Sequence, residues 1–148
     1  MNNQQLVSVS DVAEYILLRL GAMSAMKLQK LCYYAQAWHL VWTEKPLFSE
    51  RIEAWANGPV VPDLYSKHRG NFKVGCGTLA GDSDKLSIDS KDVVDRVLGF
   101  YGSKDPQWLS ELTHMETPWQ KAREGVADGE RANHEITHDV IAEYYGSL

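Results

Sequence analysis

The longest run of apolar and aromatic residues limits the fold of this chain more than any other feature. It covers residues 31–42, twelve positions of which only Gln36 and His39 are strongly polar. A helix needs about 20 such residues to span a bilayer, so this run is too short for a membrane segment. A helix that is apolar on nearly all sides must be surrounded by other elements. The sequence therefore predicts a buried central helix over residues 24–42, beginning at Ser24.

The two halves of this predicted helix differ in polarity. Trp38 and Trp42 lie one turn apart in the apolar half, and we expect both in the core. Lys27, Gln29 and Lys30 lie in the first half, where polar residues alternate with apolar ones at helical spacing. We therefore expect this half to be amphipathic and these three side chains to reach the surface.

Local start signals predict the remaining helices. Ser8 and Asp11 have the spacing of a capping box, ahead of apolar residues at helical spacing up to residue 20. Further helix starts are predicted at Pro62, Ser90, Asp105-Pro106, Pro118-Trp119 and a Thr137 cap.

The segments between the helices carry weaker signals. Residues 47–57 alternate apolar and polar positions, which predicts a short extended patch. Residues 70–89 hold four glycines and predict a weak strand or a mobile loop. The fold class that follows is mainly α: a compact single-domain bundle of about five to six helices around residues 24–42, with a small β patch near residues 47–57. One domain is predicted over residues 1–148.

Charge and cysteine usage restrict the functional classes. The formal net charge is −5, and residues 111–148 carry eight acidic residues against three basic ones. An acidic surface repels phosphates, so a nucleic-acid partner is disfavoured. Cys32 lies in the apolar run and Cys76 in a Gly-rich loop, with no pattern typical of a disulfide framework. With no secretion signal visible at the first residues, we expect a cytoplasmic protein without a membrane partner.

The sequence His134-Glu135-Ile136-Thr137-His138 matches the H-E-x-x-H motif of zinc peptidases. In such an enzyme both imidazoles lie on one helical face, beside a glutamate that acts as general base. Here Thr137 is the predicted helix cap, so the motif would straddle a helix start. A small zinc metallopeptidase with His134 and His138 as ligands is kept as an alternative, and a surface turn with two solvated histidines is favoured.

A second alternative is a helix-turn-helix DNA-binding regulator. The helices predicted over residues 11–20 and 24–42 are separated by a three-residue turn, and Lys27, Gln29 and Lys30 would enter the major groove. Two lysines are weak electrostatic support for groove entry. An antiparallel helix pair with one buried member is the favoured interpretation.

An ordered set of short motifs resembles the Panacea domain over about residues 8–145. The motifs are Lys27-Leu28-Gln29-Lys30-Leu31, Tyr33-Tyr34-Ala35-Gln36-Ala37-Trp38-His39-Leu40, Pro46-Leu47-Phe48, Ile52-Glu53-Ala54-Trp55, Gly58-Pro59-Val60-Val61-Pro62, Leu64-Tyr65, Leu112-Thr113-His114, Pro118-Trp119 and Ala122-Arg123. That domain is found in antitoxins of bacterial and phage toxin–antitoxin pairs, and in a proteolytic adaptor that delivers a toxin to a cytoplasmic protease.

The resemblance implies a protein that is not an enzyme, needs no cofactor and binds a protein toxin to silence it. Its expected partners are the cognate toxin and, if it acts as an adaptor, a cytoplasmic protease. Members of the family neutralise unrelated toxins, so the identity of the toxin does not follow from the resemblance. The motif gives no catalytic role to the H-E-x-x-H sequence.

Two groups of residues are singled out within the motifs. Aromatic and polar residues near the start of the central helix and a rigid proline turn are expected to bind the partner, because preformed aromatic surfaces give contact area at small entropic cost. These are Lys30, Tyr34, Trp55, Asn57, Tyr65, His114 and Trp119. The second group is expected to build the scaffold through packing or fixed backbone angles. It consists of Leu28, Leu31, Trp38, Gly58, Pro59, Pro62 and Pro118.

Overall fold

A computed structural model describes residues 7–148 of the chain. The first helix, α1 (Val9–Leu20), begins with the predicted capping box: the Ser8 side chain accepts from the backbone N–H of Asp11, whose carboxylate accepts from the N–H of Ser8. The second, α2 (Ala25–Thr43), is capped by Ser24 and forms the predicted central helix. Leu28 and Leu31 of α2 are fully buried.

Five further helices follow α2 in the chain. They are α3 (Pro62–His68), α4 (Ile88–Tyr101), α5 (Pro106–His114), α6 (Thr117–Ala122) and α7 (His138–Gly146). The described residues thus contain seven α-helices, more than the predicted five to six, and one 3₁₀ turn at Ser83–Lys85. Contacts to α2 come from α1, α3, α4, α5 and α7. The mainly α fold around a buried central helix is confirmed.

Five short strands form two antiparallel sheets. Strands β2 (Ile52–Trp55) and β3 (Gly58–Val60) form a hairpin within and just beyond the predicted extended patch. Strand β5 (Glu135–Ile136), which was not predicted, adds to the free side of β2 through the pair Ile52 and Ile136. Strands β1 (Met23–Ser24) and β4 (Lys73–Val74) form the second sheet. The β2–β3 hairpin places its turn beside α5 and α6.

Two predictions of local structure need correction, and a third is resolved. Trp42 is 47% exposed rather than in the core, because it lies at the end of α2 beyond the elements that cover Trp38. Helix α4 begins at Ile88, since Ser87 rather than Ser90 is its cap. For residues 70–89, the structure has the first of the two predicted possibilities, the weak strand, which is β4. This segment is held to α1, where the Glu14 carboxylate accepts from the N–H of Gly77.

Other features of the chain bear on its class. Within residues 7–148, no helix is both long enough and apolar enough to cross a bilayer. Cys32 is buried, and burial raises the pKa of its thiol far above the ordinary value, whereas Cys76 is exposed. The assignment of one domain to residues 1–148 stays a prediction.

Candidate functional site

A half-open cleft of about 550 Å³ lies where the β2–β3 turn meets α6 and the segment that follows it. Its walls come from the turn, the end of α5, α6 and the loop before β5. The lining residues are Ala56, His114, Trp119, Gln120, Arg123, Val126, Asp128 and Gly129. Two of the residues expected to bind a partner, His114 and Trp119, therefore lie in one cleft.

Three planar side chains are layered along this cleft. The rings of His114 and Trp119 stack with centroids 4.0 Å apart and planes 13° apart. The Arg123 guanidinium lies 5.2 Å from the centroid of the Trp119 ring, within the range of a cation–π contact. The Trp119 indole N–H also donates to the backbone carbonyl of Trp55, at 2.8 Å. The short helix α6 supplies both Trp119 and, just after its end, Arg123.

Arg123 is buried and its guanidinium is held by backbone carbonyls. It donates to Ala54 O at 3.0 Å, to Glu130 O at 2.6 Å and to Ala127 O at 3.4 Å. These bonds join strand β2 to the loop that forms the outer wall of the cleft. Arg123 was part of the family motif but was not singled out as a site residue; the signal available was its spacing of four residues from Trp119, which places a cation beside an indole on one helical face.

Lys30 is only 1% exposed, so the expectation that it reaches the surface is wrong. The cause is Gly58 at the start of β3: a Cβ on this residue would lie 2.5 Å from Lys30 Cε, so the turn covers the lysine stem by close approach of bare backbone. Gly58 has φ +124°, a value that side chains disfavour. Burial lowers the pKa of Lys30 to about 8.

His114 is affected by both its burial and its neighbours. Burial and then the nearby Lys30 ammonium lower the pKa of His114 below its ordinary value. Its Nε2 atom is buried and has no hydrogen-bond partner within the described part of the chain. A buried nitrogen of this kind is unusual, because most buried polar atoms are paired.

Tyr34 is fully buried, so its expected exposure is also wrong. Its hydroxyl donates to the Glu116 carboxylate at 2.7 Å, and the hydroxyl of Tyr145 donates to the same oxygen at 2.7 Å. The hydroxyls of Tyr33 and Tyr145 are 3.0 Å apart, and Tyr34 stacks on Tyr101 with centroids 4.1 Å apart. This set, the tyrosine–Glu116 network, was not predicted, since its members come from α2, α4, α7 and the residue before α6.

The remaining expected binding residues lie around the β2–β3 turn. Trp55 and Tyr65 are half-buried and meet edge to face, with centroids 5.0 Å apart. Asn57 is exposed at the tip of the turn, where its carbonyl accepts from Ser110 Oγ at 2.7 Å. The structure thus brings Trp55, Asn57 and Tyr65 close to the cleft in space, on a rim that is held by α3 and α5.

The scaffold group has a clear structural place. Gly58 and Pro59 form the start of β3, Pro62 opens α3, and Pro118 lies in the first turn of α6. Trp38 is half-buried and its indole N–H donates to Tyr101 Oη at 3.0 Å.

The family model described as "Antitoxin SocA-like, Panacea domain" matches residues 28–120. This segment runs from α2 to α6 and contains Lys30, Gly58, His114 and Trp119. The chain belongs to the SocA-like antitoxin family. No curated protein and no solved structure matches it.

The H-E-x-x-H sequence of this Panacea-domain chain does not have the geometry of a zinc peptidase. His134 precedes β5, Glu135 lies in that strand, and His138 is the first residue of α7. The two imidazoles therefore do not share a helical face. This agrees with the predicted cap at Thr137, which places His134 outside the helix that His138 begins. His134 bonds to Ala122 O at 2.8 Å. Among residues 7–148, no three His, Cys, Asp or Glu side chains are arranged to hold a metal ion.

The helix-turn-helix alternative is contradicted by burial. Gln29 and Lys30 would have to contact bases, but both lie inside the Panacea domain. Gln29 pairs with the backbone of Val61 instead: its carbonyl accepts from the Val61 N–H at 2.9 Å, and its amide donates to Val61 O at 3.3 Å. Only Lys27 of the three proposed contacts is partly exposed.

Proposed function

We propose that this protein is the antitoxin of a toxin–antitoxin pair and neutralises a cytoplasmic protein toxin by direct contact. The observation that carries the proposal is the family match over residues 28–120. It is supported by the position of the cleft, because half of its lining residues, Ala56, His114, Trp119 and Gln120, fall inside the matched range. A non-enzymatic, binding role follows for the chain.

The proposed docking surface consists of the cleft and the rim around the β2–β3 turn. Its accessible residues are Trp55, Asn57, Tyr65 and His114, with Trp119 forming the wall between them. Half-buried aromatic rings on a hydrogen-bonded turn present contact area that is ordered before binding, so little conformational entropy is lost when a partner docks. Lys30 and Tyr34 act from beneath this surface, Lys30 through its charge and Tyr34 through the packing of α2.

Co-expression with the product of the neighbouring reading frame tests the proposal. We expect that product to arrest growth when expressed alone and to be harmless when this protein is present. Failure of rescue with the neighbouring product and with its homologues would overturn the proposal. Affinity purification then separates two modes of action, because an adaptor retains a protease together with the toxin whereas a sequestering antitoxin retains the toxin alone.

Alanine variants test the docking surface when each is measured for both thermal stability and toxin binding. Trp55→Ala is expected to lose about 2 kcal/mol of binding free energy, the size of a true hot spot. Trp42→Ala is a matched control, since Trp42 is exposed at the far end of α2, and its binding should be unchanged. A binding loss that always follows a loss of stability would assign Trp55 to the scaffold and move the docking site elsewhere.

A further inference from the structure

Two buried cations near the cleft have no acidic partner: Arg123 lines the cleft, and Lys30 lies behind its wall, covered by Gly58. No carboxylate lies within salt-bridge distance of the Lys30 ammonium or the Arg123 guanidinium in residues 7–148. Arg123 is bound to carbonyl oxygens, which satisfy hydrogen bonds but leave its charge uncompensated. Buried charges are normally paired, because removing an ion from water without a counter-ion is costly. The cleft therefore carries uncompensated positive charge on a chain whose net charge is −5.

The polar groups at the cleft are arranged to receive an anion. His114 lines the cleft, and its buried Nε2 atom makes no hydrogen bond of ordinary geometry in the described part of the chain, although the Asn57 backbone lies close to the ring. Asp128 supplies the one carboxylate in the described lining, and its side chain is exposed at the cleft. The charges that act on the His114 ring are Lys30 behind the wall and Arg123, both positive, and Asp128, which is negative, so the local excess at this ring is one positive charge. One carboxylate would neutralise it, whereas a phosphate dianion would exceed it.

We propose that the cleft between the β2–β3 turn and α6 receives an acidic side chain of the toxin, a glutamate or aspartate whose charge is compensated by Arg123 and by Lys30 behind the wall, next to the His114 ring. The inference rests on the proposed function in one respect, that the partner is a protein docking at this surface. A cleft of about 550 Å³ holds such a side chain together with part of its backbone segment. The stacked rings of His114 and Trp119 supply the apolar wall against which its methylene groups pack.

Propionate tests the carboxylate preference without any toxin. Propionate carries the carboxylate and methylene of a glutamate side chain, and propionamide is its neutral equivalent. We expect propionate to shift the Trp119 indole and His114 ring signals in NMR spectra with a dissociation constant in the tens-of-millimolar range, and propionamide to leave them unchanged. Equal shifts with both compounds, or none with either, would overturn the proposal. Stronger binding of inorganic phosphate than of propionate would overturn the choice of a carboxylate.

Three variants test the same site with the purified toxin. Lys30→Met removes a cation at similar side-chain length and should weaken toxin binding about tenfold or more. Asp128→Asn removes the competing carboxylate and should strengthen binding about twofold to threefold. Asp89→Asn is the matched control, because it makes the same charge change at the start of α4, and it should have no effect. Weaker binding of Asp128→Asn would show that the toxin presents a cation and would overturn the proposal.

Failure of this inference can be distinguished from failure of the proposed function. If the toxin binds and is neutralised but ignores Lys30→Met and Asp128→Asn, the antitoxin role stands and the acidic-anchor proposal is overturned. If propionate binds selectively but no neighbouring product is toxic or retained, the anion site stands and the antitoxin role fails. When both hold, replacing each toxin glutamate and aspartate by its amide should identify one position whose loss weakens binding about tenfold.

Discussion

Two polar clusters contact the central helix α2, and they differ in how completely they are satisfied. In the tyrosine–Glu116 network, the carboxylate accepts from Tyr34 and Tyr145, and Tyr33 completes the set. At the cleft and behind its wall, the Lys30 ammonium has no carboxylate partner within the described residues, and His114 Nε2 has no hydrogen bond of ordinary geometry there. The hydrogen bonds of the first cluster are complete within the chain, whereas the second leaves a cation and a ring nitrogen for a group from outside to pair with.

The comparison shows that residues of the same helix, α2, can serve different purposes: some stabilise the fold, and others provide charge for binding. A buried network in which every member is paired rigidifies the fold, whereas an uncompensated buried charge destabilises it unless a ligand supplies the counter-ion. Lys30 and Tyr34 are one helical turn apart on α2, yet Tyr34 belongs to the paired network whereas Lys30 is a buried charge without a counter-ion. Substitutions on the two sides should therefore change stability with opposite signs.

The largest expected effect is stabilisation by Lys30→Met. Burial lowers the pKa of Lys30 from 10.5 to about 8, which corresponds to about 3 kcal/mol against the charged form in the folded state. Replacing the ammonium by an apolar group of similar length should raise the free energy of unfolding by up to about that amount at pH 7. Chemical denaturation measures it, and a destabilised variant would contradict an uncompensated charge at this position.

The same variant has a defined pH dependence. Above pH 8 the folded protein releases the Lys30 proton while the unfolded chain still holds it until about pH 10.5. The stability of the unmodified protein therefore gains on that of Lys30→Met across this window. The advantage of the variant should be full at pH 7 and should disappear by about pH 10.5. A constant advantage would mean that packing, and not charge, is responsible.

The second largest expected effect is destabilisation of the tyrosine–Glu116 network. Glu116→Leu and Glu116→Gln both remove the charge, but only glutamine keeps an oxygen that accepts from Tyr34 and Tyr145. The leucine variant should unfold about 2 kcal/mol more easily than the glutamine variant, because at least the Tyr34 hydroxyl loses its acceptor in the core. Urea titrations of the two variants give this difference directly, and equal midpoints with equal slopes would show that the network adds no stability.

The smallest effect is the pH response of Glu116 itself. Burial raises the pKa of this carboxyl group, although the two tyrosine hydroxyls act in the opposite direction. A raised pKa in the folded state means that this residue favours folding most at pH below its unfolded value, and that the benefit is lost as pH rises through the folded value. The stability of Glu116→Gln relative to the unmodified protein should therefore fall as the solution is acidified, which denaturation at a series of pH values would measure.

Much of the helical framework was predictable because its signals are local. Ser8 with Asp11, Asp105 before Pro106, and Thr137 each satisfy free N–H groups of the helix that follows them, as their spacing indicated. Such caps act within one turn and need no knowledge of the rest of the fold. The central helix could be identified because its apolar run, residues 31–42, covers nearly all sides of a helix, and such a helix must be buried.

The burial of Lys30 could not be predicted from its neighbours in sequence. The amphipathic spacing around it indicates a surface residue, and what covers it is Gly58, from a turn formed far along the chain. Tyr34 presents the same difficulty, because its acceptor Glu116 precedes a different helix. Strand β5 is two residues long, too short to show alternation. Long-range pairing decides all three, and a single sequence carries little information about it.

The addition of β5 to β2 affects how the protein is made. Ile52 pairs with Ile136, so the central strand of the three-stranded sheet keeps an open edge until almost the entire described chain has left the ribosome. Arg123 likewise binds Ala54 O only after α6 has been synthesised, and Glu130 O still later. The cleft therefore cannot assemble before Glu130 has been synthesised. A nascent chain that ends before this residue lacks the surface, so a partner that docks at the cleft cannot be captured earlier in translation.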